Sequence, residues 1–404
     1  MRKNRASFGF RKLITIIFLA SVAVLITAFF IVKFNLWLVT VQILQEKTPD
    51  QSQTQRKIRI LIVPGHEPDY GGAEFGNIKE RDLVVEIGQD LERLLKVDND
   101  YQVFITRDTQ AWGPIFADYF KNNWDGIAAW KKAARKEMSR LISAGTTAIP
   151  APAVIHNNIP SDVAVRLYGI NKWANENNID LVIHVHINDY WGYPANVPGK
   201  YSGFVIYLPA QQYFNSMTTG AVAEAVFNRL AKYNPVSNLR QESTGLVSDS
   251  ELIAVGANNT SDAANMLIEY DYIYEPQFVN PKIRGLALKD LAYQTYLGLQ
   301  DFFGDDSVNL YNPSLLYTWN NPATDKNSDP SDIYALQTAL ILNGDYPPAG
   351  KTKNNCPHSG IFGACTRAAL AAFQNEHGIG DKDGIMDEKT FGLLNNLYLG
   401  NVIK

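Results

Sequence analysis

Cysteine and net basic charge are what this chain most lacks. Of 404 residues only two are cysteines, Cys356 and Cys365, nine positions apart near the C-terminus. With only His358 between them and no further Cys or His at ligand spacing, they do not make a metal site. In an oxidising compartment they read as a local disulfide, with unpaired thiols as the alternative. Six of the 37 Lys and Arg residues lie at or before Lys33, where there is no acid, so the remainder carries 31 basic against 41 acidic side chains, a net of −10. That balance argues against a nucleic-acid partner, whose phosphates call for a basic patch. There is no internal repeat, and no low-complexity tract beyond two linkers.

One long apolar run is present. Leu13 to Val32 carries no charge, follows a basic start (Arg2, Lys3, Arg5, Arg11, Lys12) and is closed by Lys33. Twenty helical residues cover about 30 Å, enough to cross a bilayer. The basic side stays in the cytoplasm, so everything after the run is expected outside it. Residues 1–12 are then a cytoplasmic start and 13–33 a transmembrane signal anchor, with a cleavable secretory signal as the alternative. The expected location is the cell membrane, single-pass, with the body on the periplasmic or cell-wall face.

Residues 34–56 form a linker whose later part, EKTPDQSQTQR, is polar and without apolar period. The β-branched run Ile58 to Val63 ends at Pro64-Gly65 and reads as a buried strand and turn. A helix with apolar residues at Leu83, Ile87, Leu91, Leu94 and Leu95 follows Glu80. Further strands are expected at Tyr101 to Thr106, Leu181 to His186, Gly203 to Leu208 and Met266 to Tyr270, with helices around Trp173, from Ala221 to Tyr233 and from Gly285 to Phe303. Alternation of this kind predicts an α/β domain over 57–304, its mostly parallel sheet covered by helices on both faces. The insert 109–162 breaks the rhythm with an aromatic-rich helix (about Ile115 to Leu141) and a Pro/Ala-rich tail. Residues 305–330 are polar and Asn/Asp/Pro-rich, a second linker. A small helical module follows.

Four residues stand out in the α/β domain. His66 closes the first strand, where open α/β sheets place ligand sites. Glu80 stands just before the apolar helix, and His186 ends the third strand. Glu269 sits in the apolar stretch Met-Leu-Ile-Glu-Tyr, where an unpaired carboxylate is costly to bury. Two imidazoles and a carboxylate are a donor set for one catalytic zinc ion with an open fourth position. A carboxylate aimed at that position is a general base for hydrolysis. Taken singly, each histidine reads more readily as a hydrogen-bonded structural residue. His184 shares a strand face with His186, so it is a second candidate ligand, a packing residue or one that orients His186 by hydrogen bonding; Asn188 is a candidate for the orienting role alone.

The set resembles the zinc-dependent N-acetylmuramoyl-L-alanine amidases of bacterial cell walls, the type-3 amidase family. The matching pieces are Val63-Pro-Gly-His66, Gly71-Gly-Ala73, Lys79-Glu80-Arg-Asp-Leu83, Thr106-Arg107-Asp108, Ala174-Asn175, Asp180-Leu-Val-Ile-His-Val-His186-Ile-Asn188 and Leu267-Ile-Glu269-Tyr-Asp-Tyr-Ile273. The resemblance implies an amidase/phosphorylase-like fold, zinc on His66, Glu80 and His186, Glu269 as catalytic base, and cleavage of the amide between N-acetylmuramic acid and L-alanine. It departs at Glu67-Pro68 in place of Gly-Gly, which predicts a stiffer and more acidic rim, at His184 in place of Ser, and at Asp271 in place of Gly, which puts the local turn in question. The insert is either a lid over the metal or an extra structural helix.

In the C-terminal segment, Leu336-Gln337, Gly360-Ile-Phe-Gly363, Thr366, Ala369, Phe373-Gln374, Gly378, Asp383-Gly384 and Thr390 resemble the three-helix peptidoglycan-binding domain 1 family over 331–398. A helical cap on the catalytic domain is the alternative. The resemblances imply peptidoglycan as substrate and partner, the inner membrane as anchor through the N-terminal helix, and leave room for an activator protein. Competing functions are a catalytically silent amidase-fold scaffold and a zinc peptidase acting on stem peptides.

Overall fold

A computed structural model describes residues 56–148, 154, 159–190, 192–194, 196–304, 324–379 and 383–398. The expected membrane anchor at 13–33, the linker 34–55 and residues 305–323 lie outside the described residues. Among the described residues no helix is long and apolar enough to cross a membrane.

Strand β1 (Ile58–Pro64) is the run of β-branched residues, and Ile60 to Val63 are buried on both faces, as an inner strand of a parallel sheet requires. It pairs in parallel with β4 (Tyr101–Ile105) on one side and β5 (Leu181–Asn188) on the other. Next to β5, again in parallel, lies β8 (Ala264–Tyr272). The described sheet then reverses: β6 (Val205–Pro209) runs antiparallel to β8 and carries β7 (Leu246–Asp249) on its outer edge, giving the order β4-β1-β5-β8-β6-β7. A two-residue-per-strand hairpin, β2 (Glu74–Phe75) with β3 (Ile78–Lys79), lies between β1 and the first helix. The mostly parallel sheet follows the alternation in the sequence. Neither the hairpin nor β7 was expected, because each is too short to show an apolar period.

Helices cover both faces. On one, α1 (Glu80–Val97) buries Leu83, Ile87, Leu91 and Leu95, spaced four apart, against Ile60, Ile62, Ile183 and Ile268. Each such side chain contributes about 1.5–3 kcal/mol when fully removed from water. α4 (Ser216–Tyr233) and α6 (Arg284–Phe303) share that face through Val226, Leu230, Leu288 and Leu299. The opposite face carries α2 (Pro114–Ser143) and α3 (Ser161–Glu176) over Leu61, Val63 and Val182. The helical part of the insert is laid along α3. Gly169 makes room for Phe120 and Ile127, whose nearest atoms stand 3.0 Å from where a Cβ would be. Of the insert's Pro/Ala-rich tail only Val154 between residues 149 and 158 is described, packed beside Val205, Tyr207 and Leu267. The short α5 (Pro276–Val279) leads into α6.

The C-terminal segment forms three helices, α7 (Pro330–Asn343), α8 (Ala364–Glu376) and α9 (Glu388–Tyr398), around Leu336, Leu340, Leu370, Phe373 and Leu394. Two buried glutamines brace its loops. Gln337 donates to Thr366 Oγ1 (3.0 Å) and accepts from the amides of Ser359 and Gly360 (3.1 and 2.9 Å). Gln374 donates to the Ile385 carbonyl (2.7 Å) and Thr390 Oγ1 (3.2 Å) and accepts from the Gly384 amide (3.0 Å). Cys356 and Cys365 are joined in a disulfide across the α7–α8 connection.

The module does not hang free. Residues from Lys57 onward cluster as one compact unit. Tyr334 of α7 is buried with Ile283 and Ala287, and its hydroxyl donates to Asp290 on α6 (3.3 Å). Tyr233 of α4 joins the module's own core, and Lys353 Nζ donates to the Ala231 carbonyl at 2.7 Å. The end of the second linker is ordered too: Lys282 pairs with Asp329 (3.2 Å), whose carboxylate caps α7.

Burial pushes the Asp290 carboxyl up to about 6, against the lowering effect of hydrogen bonds from Gln294 and Tyr334. An unfolded aspartate titrates near about 3.9. The folded state therefore holds the extra proton between those values, and this group's contribution is fully present below about pH 4 and is lost as pH rises through about 6. Asp290→Asn removes that slope. Relative to wild type, the variant should gain up to about 3 kcal/mol of unfolding free energy between pH 4 and pH 7, measured by denaturant melts at both values.

Candidate metal centre and base

β1, β5 and β8 are parallel neighbours, so their C-terminal ends open on one edge of the sheet, and the four singled-out residues gather there. His66 lies in the turn after β1 with φ 68°, a left-handed conformation that costs a non-glycine residue about 1 kcal/mol or more. That turn aims the ring back toward β5. Glu80 is the first residue of α1. One of its carboxylate oxygens accepts from the Ala73 amide (2.8 Å), and the other from the Ile187 amide (3.0 Å). His186 sits just before an irregularity in the β5–β8 pairing, directly opposite Glu269.

Nδ1 or Nε2 of each histidine and a Glu80 oxygen lie within 4.8 Å of one another. His66 Nε2 is 2.8 Å and His186 Nδ1 3.2 Å from the same Glu80 Oε1. Ligands about 2.0–2.2 Å from one tetrahedral ion stand about 3.3 Å apart, and both of these separations lie near that value. His66 Nε2 is buried, and its approach to Glu80 lacks hydrogen-bond alignment, leaving it an orphaned polar atom aimed at the shared point. Burial by itself would raise the Glu80 pKa, but the electrostatic attraction of nearby His66 and the hydrogen bond with His186 outweigh it and hold the carboxyl well below its usual range. Burial also pushes His186 down, favouring the neutral imidazole a metal takes. Two nitrogen donors and one oxygen suit zinc.

Glycine makes this approach feasible at two points. A Cβ on Gly65 would stand 2.3 Å from His186 Cε1, and one on Gly72 (φ 82°) 2.9 Å from His66 Cδ2. Glu269 faces the cluster from β8, and its Oε2 is buried with no hydrogen-bond partner. Burial, with the charges of Glu80, Glu242 and Asp189, pushes its carboxyl well up. A cation among His66, Glu80 and His186 would oppose that shift.

His184 is buried and pushed down to about 3, chiefly by burial with His186 adding, so it stays neutral; its ring is not among the clustered donor atoms. Asn188 donates to both oxygens of Glu242 (3.2 and 3.3 Å). Glu242 escaped notice in the sequence because it lies in the polar run NLRQESTGL, yet it is buried and also accepts from Ser237, Tyr207 and Tyr272 (2.5, 2.8 and 3.1 Å). The departures have physical resolutions. Glu67 does not make the rim acidic: it is buried, with Arg166 at 3.2 Å and Trp112 Nε1 donating at 3.1 Å. Asp271 keeps the turn that glycine would make, at φ 147°, by accepting from the Gly203 and Tyr272 amides and from Gln277 (2.6, 2.9 and 2.9 Å).

Comparison with known proteins gives three findings. Residues 329–394 match the family model described as "Putative peptidoglycan binding domain". Among solved structures, the chain is similar to the N-acetylmuramyl-L-alanine amidase Ami1 of Mycobacterium smegmatis, at 13% identity and TM-score 0.41 over 63% of this chain and 100% of that one. It is similar also to the CwlD amidase of Clostridioides difficile, solved in complex with the GerS lipoprotein (14%, TM-score 0.41, 62% and 100%). A third is the amidase AmiC2 of Nostoc punctiforme (16%, TM-score 0.38, 62% and 99%). No curated protein matches the chain in sequence.

Gly65→Ala tests the crowding directly. Its methyl displaces the His186 ring, so the metal-site reading predicts that affinity for added zinc, measured by chelator competition, falls at least about tenfold; zinc bound with unchanged affinity would contradict this packing.

Proposed function

We propose that this protein is a zinc-dependent hydrolase that cleaves the amide between the lactyl group of N-acetylmuramic acid and L-alanine in bacterial peptidoglycan. The observation that carries the reading is the convergence of His66, Glu80 and His186 beside an unpartnered Glu269 on the next strand. The C-terminal match to a peptidoglycan-binding family, on the same compact unit, supports the choice of polymer. The motif resemblance over 57–304 supports the choice of bond.

His66, Glu80 and His186 would hold the ion. When bound, zinc supplies Lewis acidity and lowers the pKa of water toward neutrality. Glu269 does the proton work: its carboxylate takes a proton from the attacking water and delivers it to the departing amine nitrogen of L-alanine. The products are a lactyl carboxylate on the sugar and a stem peptide with a free amine. Asn188, held by Glu242, fixes the strand end beside His186. The N-terminal segment, as a membrane anchor, would place this chemistry on the outer side of the membrane, within reach of the wall.

Purified full-length protein incubated with sacculi should release stem peptides bearing an unblocked L-alanine amine, detected by mass spectrometry and abolished by chelator. Cuts between stem-peptide residues would instead mark a peptidase, and zinc binding without release a scaffold. Glu269→Gln keeps the donor set, so it should retain zinc while turnover falls at least about 100-fold; an active variant removes Glu269 from the mechanism.

A further inference from the structure

The buried Arg107 has no task in the mechanism above, yet its guanidinium reaches two of the three chain segments that carry donor residues. Nε donates to the Pro64 carbonyl (3.2 Å) and Nη2 to the Gly65 carbonyl, the two residues before His66. Nη2 also donates to the carbonyl of Arg81 (3.0 Å), the residue after Glu80. Nη1 is held by the Asp108 carbonyl at 2.9 Å. All four acceptors are neutral backbone oxygens, so no direct salt bridge offsets the cost of burying this cation. Burial pushes it down to about 10, which leaves it charged at neutral pH.

We infer that Arg107 is a positioning residue for the metal centre, setting the separation between His66 and Glu80 by clamping the backbone on either side of them. The inference rests on the metal-site reading above. Three features make the clamp specific. The peptide it grips precedes a left-handed histidine, a conformation that relaxes unless its neighbours are fixed. The planar fork of arginine can address carbonyls on different segments at once, which a lysine ammonium on its flexible stem cannot. Arg107 also opens onto the insert: Asp108, next to it, accepts from the Gln110 and Ala111 amides (2.7 and 2.8 Å), shaping the turn into α2.

The test uses the full-length protein and reads zinc affinity by competition with a fluorescent chelator, beside thermal melts of the metal-free form. Zinc binding by wild type is read first, since its absence would overturn the metal reading and this one with it. Arg107→Lys should bind zinc about 10–100-fold more weakly while the metal-free protein still folds and melts cooperatively. Millimolar guanidinium should restore affinity to Arg107→Ala and leave wild type unchanged. Wild-type affinity in Arg107→Lys overturns the clamp alone. So does an Arg107→Lys protein that fails to fold, because that assigns the residue to core stability.

Discussion

Parallel pairing of β1, β5 and β8 is the constraint on which the rest depends. Because these neighbours run the same way, their C-terminal ends lie side by side, and residues more than a hundred positions apart meet there without any dedicated scaffold. His186 and Glu269 are opposite one another in register, so a one-residue slip between β5 and β8 would turn one of them into the opposite helical layer. The apolar residues on the other face, Ile183, Val185, Met266 and Ile268, resist that slip because it would take them out of the packing with α1, α4 and α6 and send some of them into the cluster of polar groups at the strand ends. Core packing thereby sets the site's register.

The same edge concentrates polar groups that a core normally rejects. Glu80, Glu242 and Asp271 are all buried, and each is surrounded by donors: amides and imidazoles for the first, hydroxyls and Asn188 for the second, amides and Gln277 for the third. Glu269 differs in that its Oε2 has no such partner. In an interior where unpaired polar atoms cost about 1–3 kcal/mol, an unsatisfied Glu269 Oε2 beside the equally orphaned His66 Nε2 marks the strand ends as the place to meet a group from outside the folded chain.

Much of this was legible in the sequence, for reasons that can be stated residue by residue. Strand ends marked by Pro64-Gly65 and by the run Leu181 to Asn188 placed the histidines, and the four-residue apolar spacing from Leu83 onward placed Glu80 at a helix start. What was not legible depended on long-range packing. β7 has two apolar residues among four, too few to show a period. The reversal of β6 leaves no trace in its composition. Glu242 is polar among polar neighbours, and only the fold reveals that Tyr207 and Tyr272 close over it. The acidic rim expected at Glu67 failed because Arg166, a hundred residues away, could not be seen to approach it. The seat of Tyr334 against Ile283 and Ala287 is likewise a tertiary fact.

That seat alters what a polymer-binding appendage can do. A module on a slack tether lets its host swing through a volume and strike whatever bonds fall inside it. Here the module is packed on its host, with an aromatic ring buried against α6 and a lysine hydrogen-bonded to the end of α4. On the proposed function, a strand gripped by such a module would be offered to the strand-end cluster of His66, Glu80 and His186 at one angle and one offset. Progress along the wall would then come from letting go and gripping again, and the rate of release would govern how much of the mesh is visited.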